Sequence, residues 1–233
     1  MTMKDITEGD IQNNIPLATK DPSNRTIVKF GDVAIGGDQF VVIAGPCAVE
    51  NRDQVIDIAH NVKKSGAQVL RGGAFKPLTF PYQNERSFEL GEEGLKYLAE
   101  AREATGMPVV TEVMDPRTVE MVSSYADVLQ IGARNMQNFP LLAEVGRSGK
   151  PVLLKRHFGC SLRDWLGASE HILVQGNPNV VLCERGVSTA HTHAGTSRFI
   201  IDIQRCFKMR FFLHIRGLQF VKSAFDSSKN QSR

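Results

Sequence analysis

Short, continuous apolar runs alternate along the chain with longer stretches in which apolar residues recur every three or four positions. The runs are typical of strands buried on both faces, and the longer stretches indicate helices with one buried face. Predicted strands begin near residues 40, 68, 109, 128, 151 and 180, and predicted helices span 54–64, 94–105, 115–122, 139–146 and 162–173. This alternation predicts an α/β fold in which helices cover a parallel sheet.

Two architectures fit this alternation: an eight-stranded (β/α)8 barrel of the TIM type and an open doubly wound sheet. The first strand is not followed by G-x-G-x-x-G, which counts against the dinucleotide-binding version of the open sheet. Upstream, residues 26–30 and 33–35 flank Gly31 and Asp32, a pattern that predicts an N-terminal β-hairpin.

The regular pattern covers only part of the chain. We divide it into a polar N-terminal arm (1–27), a TIM-barrel domain with about six strand–helix units (28–204) and a divergent tail (205–233). The tail is apolar and basic but shows no strand–helix rhythm. A barrel of six strands leaves two open edges, so we expect the tail either to pack over the gap or to stay disordered.

Charge and composition limit the kinds of partner that the protein is expected to bind. The formal net charge is only +3, with 23% charged residues, so the bulk composition does not suggest nucleic-acid binding. No apolar run approaches the ~18 residues of a membrane span, and the first residues are polar, unlike a signal peptide. We therefore expect a cytoplasmic protein without membrane or nucleic-acid partners. The four cysteines are scattered and form no C-x-x-C pair, which indicates thiols rather than a disulfide framework.

Polar or charged residues follow every one of the six predicted strands. Because the carboxyl ends of parallel barrel strands meet at one mouth, these residues converge if the fold is a barrel. They are Cys47, Arg71, Lys76, Glu112, Arg134, Asn135, Lys155, Arg156, Glu184 and Arg185. Arginine suits bidentate binding of phosphate and carboxylate, and lysine acts as a point charge. Each residue alone could be a solvated loop charge, but the set predicts a small, multiply anionic ligand.

Cysteine at a strand end admits two interpretations. Cys47 is a candidate nucleophile or soft metal ligand, or else a small buried residue with a packing role. Cys183 lies inside a predicted strand, so we expect it to be a packing residue.

Several motifs together resemble one family. They are residues 43–50 (Ile-Ala-Gly-Pro-Cys-Ala-Val-Glu), 70–77 (Leu-Arg-Gly-Gly-Ala-Phe-Lys-Pro), 131–138 (Ile-Gly-Ala-Arg-Asn-Met-Gln-Asn), 154–156 (Leu-Lys-Arg), 176–179 (Gly-Asn-Pro-Asn) and 183–186 (Cys-Glu-Arg-Gly). In this order they resemble the short form of 3-deoxy-7-phosphoheptulonate (DAHP) synthase, which is related to KDO-8-phosphate synthase. The resemblance runs from about residue 28 to residue 186.

That resemblance implies a transferase with a (β/α)8 barrel that condenses phosphoenolpyruvate with erythrose 4-phosphate. This reaction is the first step of the shikimate pathway to the aromatic amino acids. The resemblance also implies a divalent metal of the Mn, Fe, Co or Zn class, and we expect a homo-oligomer. Carried over by position, the catalytic residues are Lys76 and Glu112, the substrate-binding residues are Arg71, Lys76, Thr79, Arg134, Lys155 and Arg185, and Cys47 is a metal ligand.

The sequence departs from the family pattern in several places. Leu78 and Phe80 stand where the family carries Arg and Ser, and residues 157–160 (His-Phe-Gly-Cys) replace a Gly-Met-Ser-Ala type of sequence. The family's Asp-Pro-Ser-His motif and its later acidic metal ligands are missing. A His-x-His pair, His191 and His193, is a weak substitute. We expect a truncated or frameshifted synthase with impaired activity.

Two other functions remain open. A KDO-8-phosphate synthase would share the fold and the phosphoenolpyruvate chemistry, but the chain lacks the Asn-Arg-Ser-Ser type of sequence typical of its second loop. A non-catalytic paralogue would bind phosphoenolpyruvate without turning it over.

Overall fold

The computed structural model of the chain describes residues 15–18, 26–76, 89–185, 211–215 and 218–222. The strands are β1 (Val28–Phe30), β2 (Val33–Ile35), β3 (Val41–Ala44), β4 (Val69–Arg71), β5 (Val109–Glu112), β6 (Val128–Ile131), β7 (Val152–Lys155), β8 (Val180–Glu184), β9 (Phe211–Ile215) and β10 (Leu218–Lys222). The helices are α1 (Arg52–Lys64), α2 (Glu92–Thr105), α3 (Val119–Tyr125), α4 (Phe139–Arg147) and α5 (Leu162–Leu173), with short 3-10 turns at Pro116–Thr118 and Ala133–Asn135.

Eight strands form a closed barrel in the order β10-β3-β4-β5-β6-β7-β8-β9. Strands β3 to β8 pair with one another in parallel, as the apolar runs predicted. The α/β barrel prediction is thereby confirmed, with the regular strand–helix pattern ending at β8. The predicted N-terminal hairpin is also confirmed, because β1 pairs with β2 in antiparallel fashion.

The last two barrel positions belong to strands from the predicted tail. Strand β9 is parallel to β8, while β10 is antiparallel to both β9 and β3. Only two residues separate β9 from β10, whereas a parallel pair needs a crossover of about a dozen residues or more. A hairpin therefore closes the sheet where a regular barrel would have two more parallel strands. The division into arm, barrel and tail at residues 27 and 204 stays a prediction.

Apolar side chains fill the inside of the barrel towards the amino ends of the strands. This cluster contains Val41, Ile43, Val69, Val110, Val128, Leu153, Val181 and Cys183. Val28, Phe30 and Ile35 of the β1–β2 hairpin belong to the same cluster, so the hairpin covers the amino end of the barrel. Cys183 is fully buried there, which agrees with its expected packing role. A ligand would therefore have to bind at the other end of the barrel, where the carboxyl ends of the strands lie.

Capping side chains define where several helices begin. Asn51 accepts a hydrogen bond from the backbone N–H of Gln54 at the start of α1, and Ser161 forms a reciprocal capping box with Asp164 at α5. The loops that follow β3 and β7 therefore end at fixed points beside the barrel mouth. No helix in the described parts of the chain is long and apolar enough to cross a membrane.

A short piece of the predicted polar arm is anchored to the barrel. Ile15 is buried in the main core, and the backbone N–H groups of Leu17 and Ala18 donate to the carboxylate of Glu170 at 3.0 and 2.8 Å. Glu170 lies on α5, so this part of the arm crosses the outer layer of helices.

Candidate active site

A polar layer lies directly above the apolar interior of the barrel. Side chains alternate along a strand, so a residue two positions beyond an inward apolar residue also faces inward. Counting on from the inward residues of β4 to β8 gives Arg71, Glu112, Gln130, Lys155 and Arg185. The structure thus brings four of the predicted site residues, and one that the sequence analysis missed, to a single mouth.

Glu112 lies within this polar layer. Its Oε2 accepts a hydrogen bond of 3.0 Å from Nε2 of Gln130, which is its neighbour across the β5–β6 pair. A Cβ at Gly132 would collide with the Glu112 carboxylate, so glycine at this position makes room for the acid. Burial raises the pKa of Glu112, while the charges of Lys155, Arg71 and Arg134 and the hydrogen bond from Gln130 act in the opposite direction. Glu112 is therefore a half-buried carboxyl group with three cations nearby.

Lys155 is the most buried cation of the layer, with 8% of its surface exposed. Burial is the largest cause that lowers its pKa, and the charges of Arg71 and Arg185 add to this effect. Cys183 and Glu112 act to raise it. Two arginines close enough to repel a lysine, with one carboxylate nearby, form a cluster with excess positive charge at the barrel mouth.

Arg185 follows the end of β8 and completes the layer. Its backbone N–H donates to Oε1 of Glu184 at 2.8 Å, and its Nε is buried without a hydrogen-bond partner among the described residues. Burial is the main cause that lowers its pKa, and the charge of Arg134 lowers it further. Arg134 lies on the Ala133–Asn135 turn, where it is exposed. The orphaned donor on Arg185 marks a position where an anion would be stabilised.

Arg156 and Glu184 do not face the mouth of the barrel, contrary to the prediction that all charged strand ends converge there. They form a buried ion pair of 2.8 Å, and Arg156 Nη2 also donates to the carbonyl of Cys160 at 2.8 Å. The guanidinium lies 5.9 Å from the ring of Trp165 on α5. Since neighbouring strand residues point in opposite directions, Lys155 faces the interior while Arg156 faces the helical layer. This pair fastens the loops that follow β7 and β8.

The structure says less about the roles of the remaining predicted site residues. Cys47 is exposed, and its backbone carbonyl packs so closely on Gly73 that a side chain there would collide with it. Lys76 is half-buried and ends the described part of its loop. Thr79 lies outside the described residues, as do His191 and His193. The roles of Cys47, Lys76 and Thr79 stay predictions.

The described residues do not fit a metal centre. They contain no group of three or more His, Cys, Asp or Glu side chains that could hold a metal ion. Cys47 is the one predicted ligand in the described part of the chain, and it stands without the further donors that a metal requires.

Sequence analysis missed Gln130 and Phe158. Gln130 is the single polar residue of β6, two positions beyond Val128, so its spacing could have placed it in the inward-facing polar layer. Phe158 lies in the loop after β7, and its ring centroid is 4.0 Å from the guanidinium carbon of Arg185. Its position depends on a contact between two loops, which no sequence pattern indicates.

Comparisons with known proteins identify relatives of this chain. A family model described as DAHP synthetase I family matches residues 14–220. Phospho-2-dehydro-3-deoxyheptonate aldolase from Thermotoga maritima is 49% identical over 165 residues, which cover 70% of this chain and 48% of the relative. The chain thus spans about half the length of that relative. A 2-dehydro-3-deoxyphosphooctonate aldolase from Syntrophotalea carbinolica is 32% identical over 78% of this chain and 66% of its own length.

Solved structures show the same relationship. A crystal structure of phospho-2-dehydro-3-deoxyheptonate aldolase (DAHP synthase) from Thermotoga maritima has a TM-score of 0.73 and 42% identity, covering 82% of this chain and 55% of that one. A truncated form of 3-deoxy-D-arabino-heptulosonate 7-phosphate synthase from Thermotoga maritima has a TM-score of 0.71 and 39% identity, covering 82% and 69%.

Proposed function

Because the chain belongs to the DAHP synthetase I family, we propose that it condenses phosphoenolpyruvate with erythrose 4-phosphate. The reaction would join the enol carbon of phosphoenolpyruvate to the aldehyde carbon of the sugar. Water is consumed, and inorganic phosphate leaves, to give 3-deoxy-D-arabino-heptulosonate 7-phosphate. The observation that carries this proposal is the convergence of Arg71, Lys155 and Arg185 on the half-buried carboxyl group of Glu112.

The cations of the polar layer would bind phosphoenolpyruvate. This substrate carries a phosphate and a carboxylate, and both need charged hydrogen-bond donors when they leave water. Lys155 and Arg71 repel one another, so an anion between them would offset a repulsion as well as add an attraction. Arg185 would donate from a guanidinium whose Nε has no partner among the described residues. We assign Arg134, Lys76 and Thr79 to the rim of the same site.

Glu112 would act on water and protons. Burial makes its carboxyl group hold a proton to a higher pH than a surface glutamate, and the neighbouring cations limit this effect. A carboxyl group in such a balance can orient the water that adds to the substrate and accept its proton. The hydrogen bond from Gln130 would hold the carboxylate in place for this role.

The family generally uses a divalent metal, but the described residues do not supply a metal site. Binding of a metal of the Mn, Fe, Co or Zn class at Cys47 stays a prediction. Elemental analysis of the purified protein would test it, because a stoichiometric metal that is lost in Cys47→Ser would support this role.

The family binds small phosphorylated substrates, and we extend this proposal to a cytoplasmic homo-oligomer. Sedimentation of the purified chain would test the oligomeric state, and a monomer at micromolar concentration would contradict it. Cell fractionation would test the location.

Substrate binding is the direct test of the proposed function. Calorimetry should detect phosphoenolpyruvate binding by the unaltered chain, and Arg185→Ala should weaken it by about 10- to 100-fold because a charged hydrogen-bond donor is lost. Arg147→Ala is the matched control, since Arg147 is exposed at the end of α4 and pairs with Glu144. Equal affinities for the two variants would contradict the assignment of Arg185.

Turnover then separates the candidate reactions. Erythrose 4-phosphate and a five-carbon aldose phosphate would be compared as acceptors, because an octonate product requires one more carbon than a heptulosonate. The Thermotoga heptonate aldolase is more similar to this chain than the octonate aldolase, which favours the four-carbon acceptor. Binding of phosphoenolpyruvate without turnover of either acceptor would favour a non-catalytic role.

A further inference from the structure

The loop after β7 places an aromatic ring on the cation that ends β8. Phe158 is 41% exposed, yet the centroid of its ring lies 4.0 Å from the guanidinium carbon of Arg185. A ring at this distance attracts the guanidinium electrostatically and lies in van der Waals contact with it. The N–H donors of a guanidinium lie in its plane, so stacking leaves them available for other partners.

The loop that carries Phe158 is held from several sides. Arg156 donates to the carbonyl of Cys160, the backbone N–H of His157 contacts Sδ of Met136 at 3.2 Å, and the N–H of Gly159 donates to Nδ1 of His157 at 3.2 Å. These contacts come from β7, from the loop after β6 and from within the loop itself. These contacts therefore hold the backbone on both sides of Phe158 in place.

Among the described residues, Arg185 forms no ion pair, although the charge of Glu112 acts on it. The adjacent carboxylate, on Glu184, is bound by Arg156 through one oxygen and by the backbone N–H of Arg185 through the other. The Nε of Arg185 is buried without a partner among the described residues, and burial lowers the pKa of the guanidinium. An unpaired buried donor on a cation is an unfavourable state that a bound anion would relieve.

We propose that Phe158 is a positioning residue, whose ring holds the Arg185 guanidinium with its N–H donors turned towards an anionic substrate. The reason is the conformational freedom of arginine, because a free side chain loses many rotamers when it binds an anion. A guanidinium that is already held by a ring loses fewer rotamers when it binds the anion. This inference rests on the proposed function, since it takes phosphoenolpyruvate as the anion.

The test compares variants of Phe158 by calorimetry with phosphoenolpyruvate. Phe158→Ala and Phe158→Leu should each raise the Kd by about 3- to 10-fold, because both remove the aromatic ring. Phe158→Tyr should restore the Kd of the unaltered chain, since it keeps the ring. Leucine fills much of the same space, so a thermal midpoint that stays unchanged in Phe158→Leu would show that the fold is intact.

Phe139→Ala is the matched control. Phe139 is 44% exposed and stacks on His171 with ring centroids 4.4 Å apart, on the outer helical layer. Its loss should leave the Kd unchanged. In an Arg185→Lys background, Phe158→Ala should have a smaller effect, because lysine lacks the planar group that stacks on the ring.

The outcomes separate this inference from the proposed function. If the unaltered chain does not bind phosphoenolpyruvate, both are overturned. If the unaltered chain binds it and Phe158→Ala binds equally well, only the positioning role is overturned. An equal loss in Phe158→Leu and Phe158→Tyr would also overturn it, because the loss would then not depend on the ring.

Discussion

At the scale of single residues, Glu112 shows how its surroundings determine what a carboxyl group can do. The strand places it inside the barrel, Gly132 leaves room for it, and Gln130 donates to it. Burial disfavours its charged form, while Lys155 and Arg71 favour it. The net result is a raised pKa, so the folded protein holds this proton to a higher pH than the unfolded chain does.

Glu112→Gln should therefore change how stability depends on pH. A raised pKa in the folded state means that the unaltered chain loses stability as pH rises from the unfolded value of ~4.3 through the folded pKa. Glutamine does not titrate, so the variant should gain stability relative to the unaltered chain between pH 4 and pH 7. Urea unfolding at several pH values measures this difference.

Glu103→Gln on the exposed surface of α2 serves as the control for that titration. A relative stability of Glu112→Gln that is constant from pH 4 to pH 7 would contradict the raised pKa.

At the scale of elements, strands β7 and β8 owe their loop positions to one buried ion pair. Arg156 and Glu184 lie on the outer side of the barrel and connect the ends of the two strands to α5. The loops they fasten carry Phe158 and Arg185, which meet at the mouth. An ion pair on the outer side of the barrel thus helps to determine how Phe158 and Arg185 are placed at the mouth.

Removing one partner of this pair should destabilise the fold strongly. Glu184→Ala leaves Arg156 buried without its counter-charge, which we expect to cost about 3–5 kcal/mol of the free energy of unfolding. Glu144→Ala, which breaks the exposed pair with Arg147, should cost no more than about 1 kcal/mol. Urea unfolding measures both. Similar losses for the two variants would show that the buried pair contributes no more to the free energy of unfolding than the exposed pair.

The elements also show what the sequence could reveal. Strands β3 to β8 were predictable because burial on both faces leaves continuous apolar runs, and the strand ends then indicated the cations of the mouth. Orientation was harder to predict: Lys155 and Arg156 are adjacent in sequence but face opposite sides of the barrel. The contact between Phe158 and Arg185 joins two loops, and no local pattern indicates it.

At the scale of the whole molecule, closure of the barrel depends on residues that lie outside the strand–helix rhythm. Strands β9 and β10 could not be predicted from that rhythm, because a hairpin has no helix between its strands. Their pairing with β8 and β3 is non-local and depends on which strand edges the rest of the sheet leaves open. The hairpin removes both edges at once.

Deleting the hairpin should therefore expose two strand edges. A chain that ends at residue 204 lacks β9 and β10, so β8 and β3 keep unpaired N–H and C=O groups that can pair with other molecules. We expect this chain to aggregate and to melt at a lower temperature than the full chain, as measured by light scattering and calorimetry. A chain that ends at residue 222 retains both strands and should behave as the full chain does. If the chain ending at residue 204 is monodisperse with an unchanged melting temperature, the hairpin does not close the barrel, and strands β3 to β8 are stable without it.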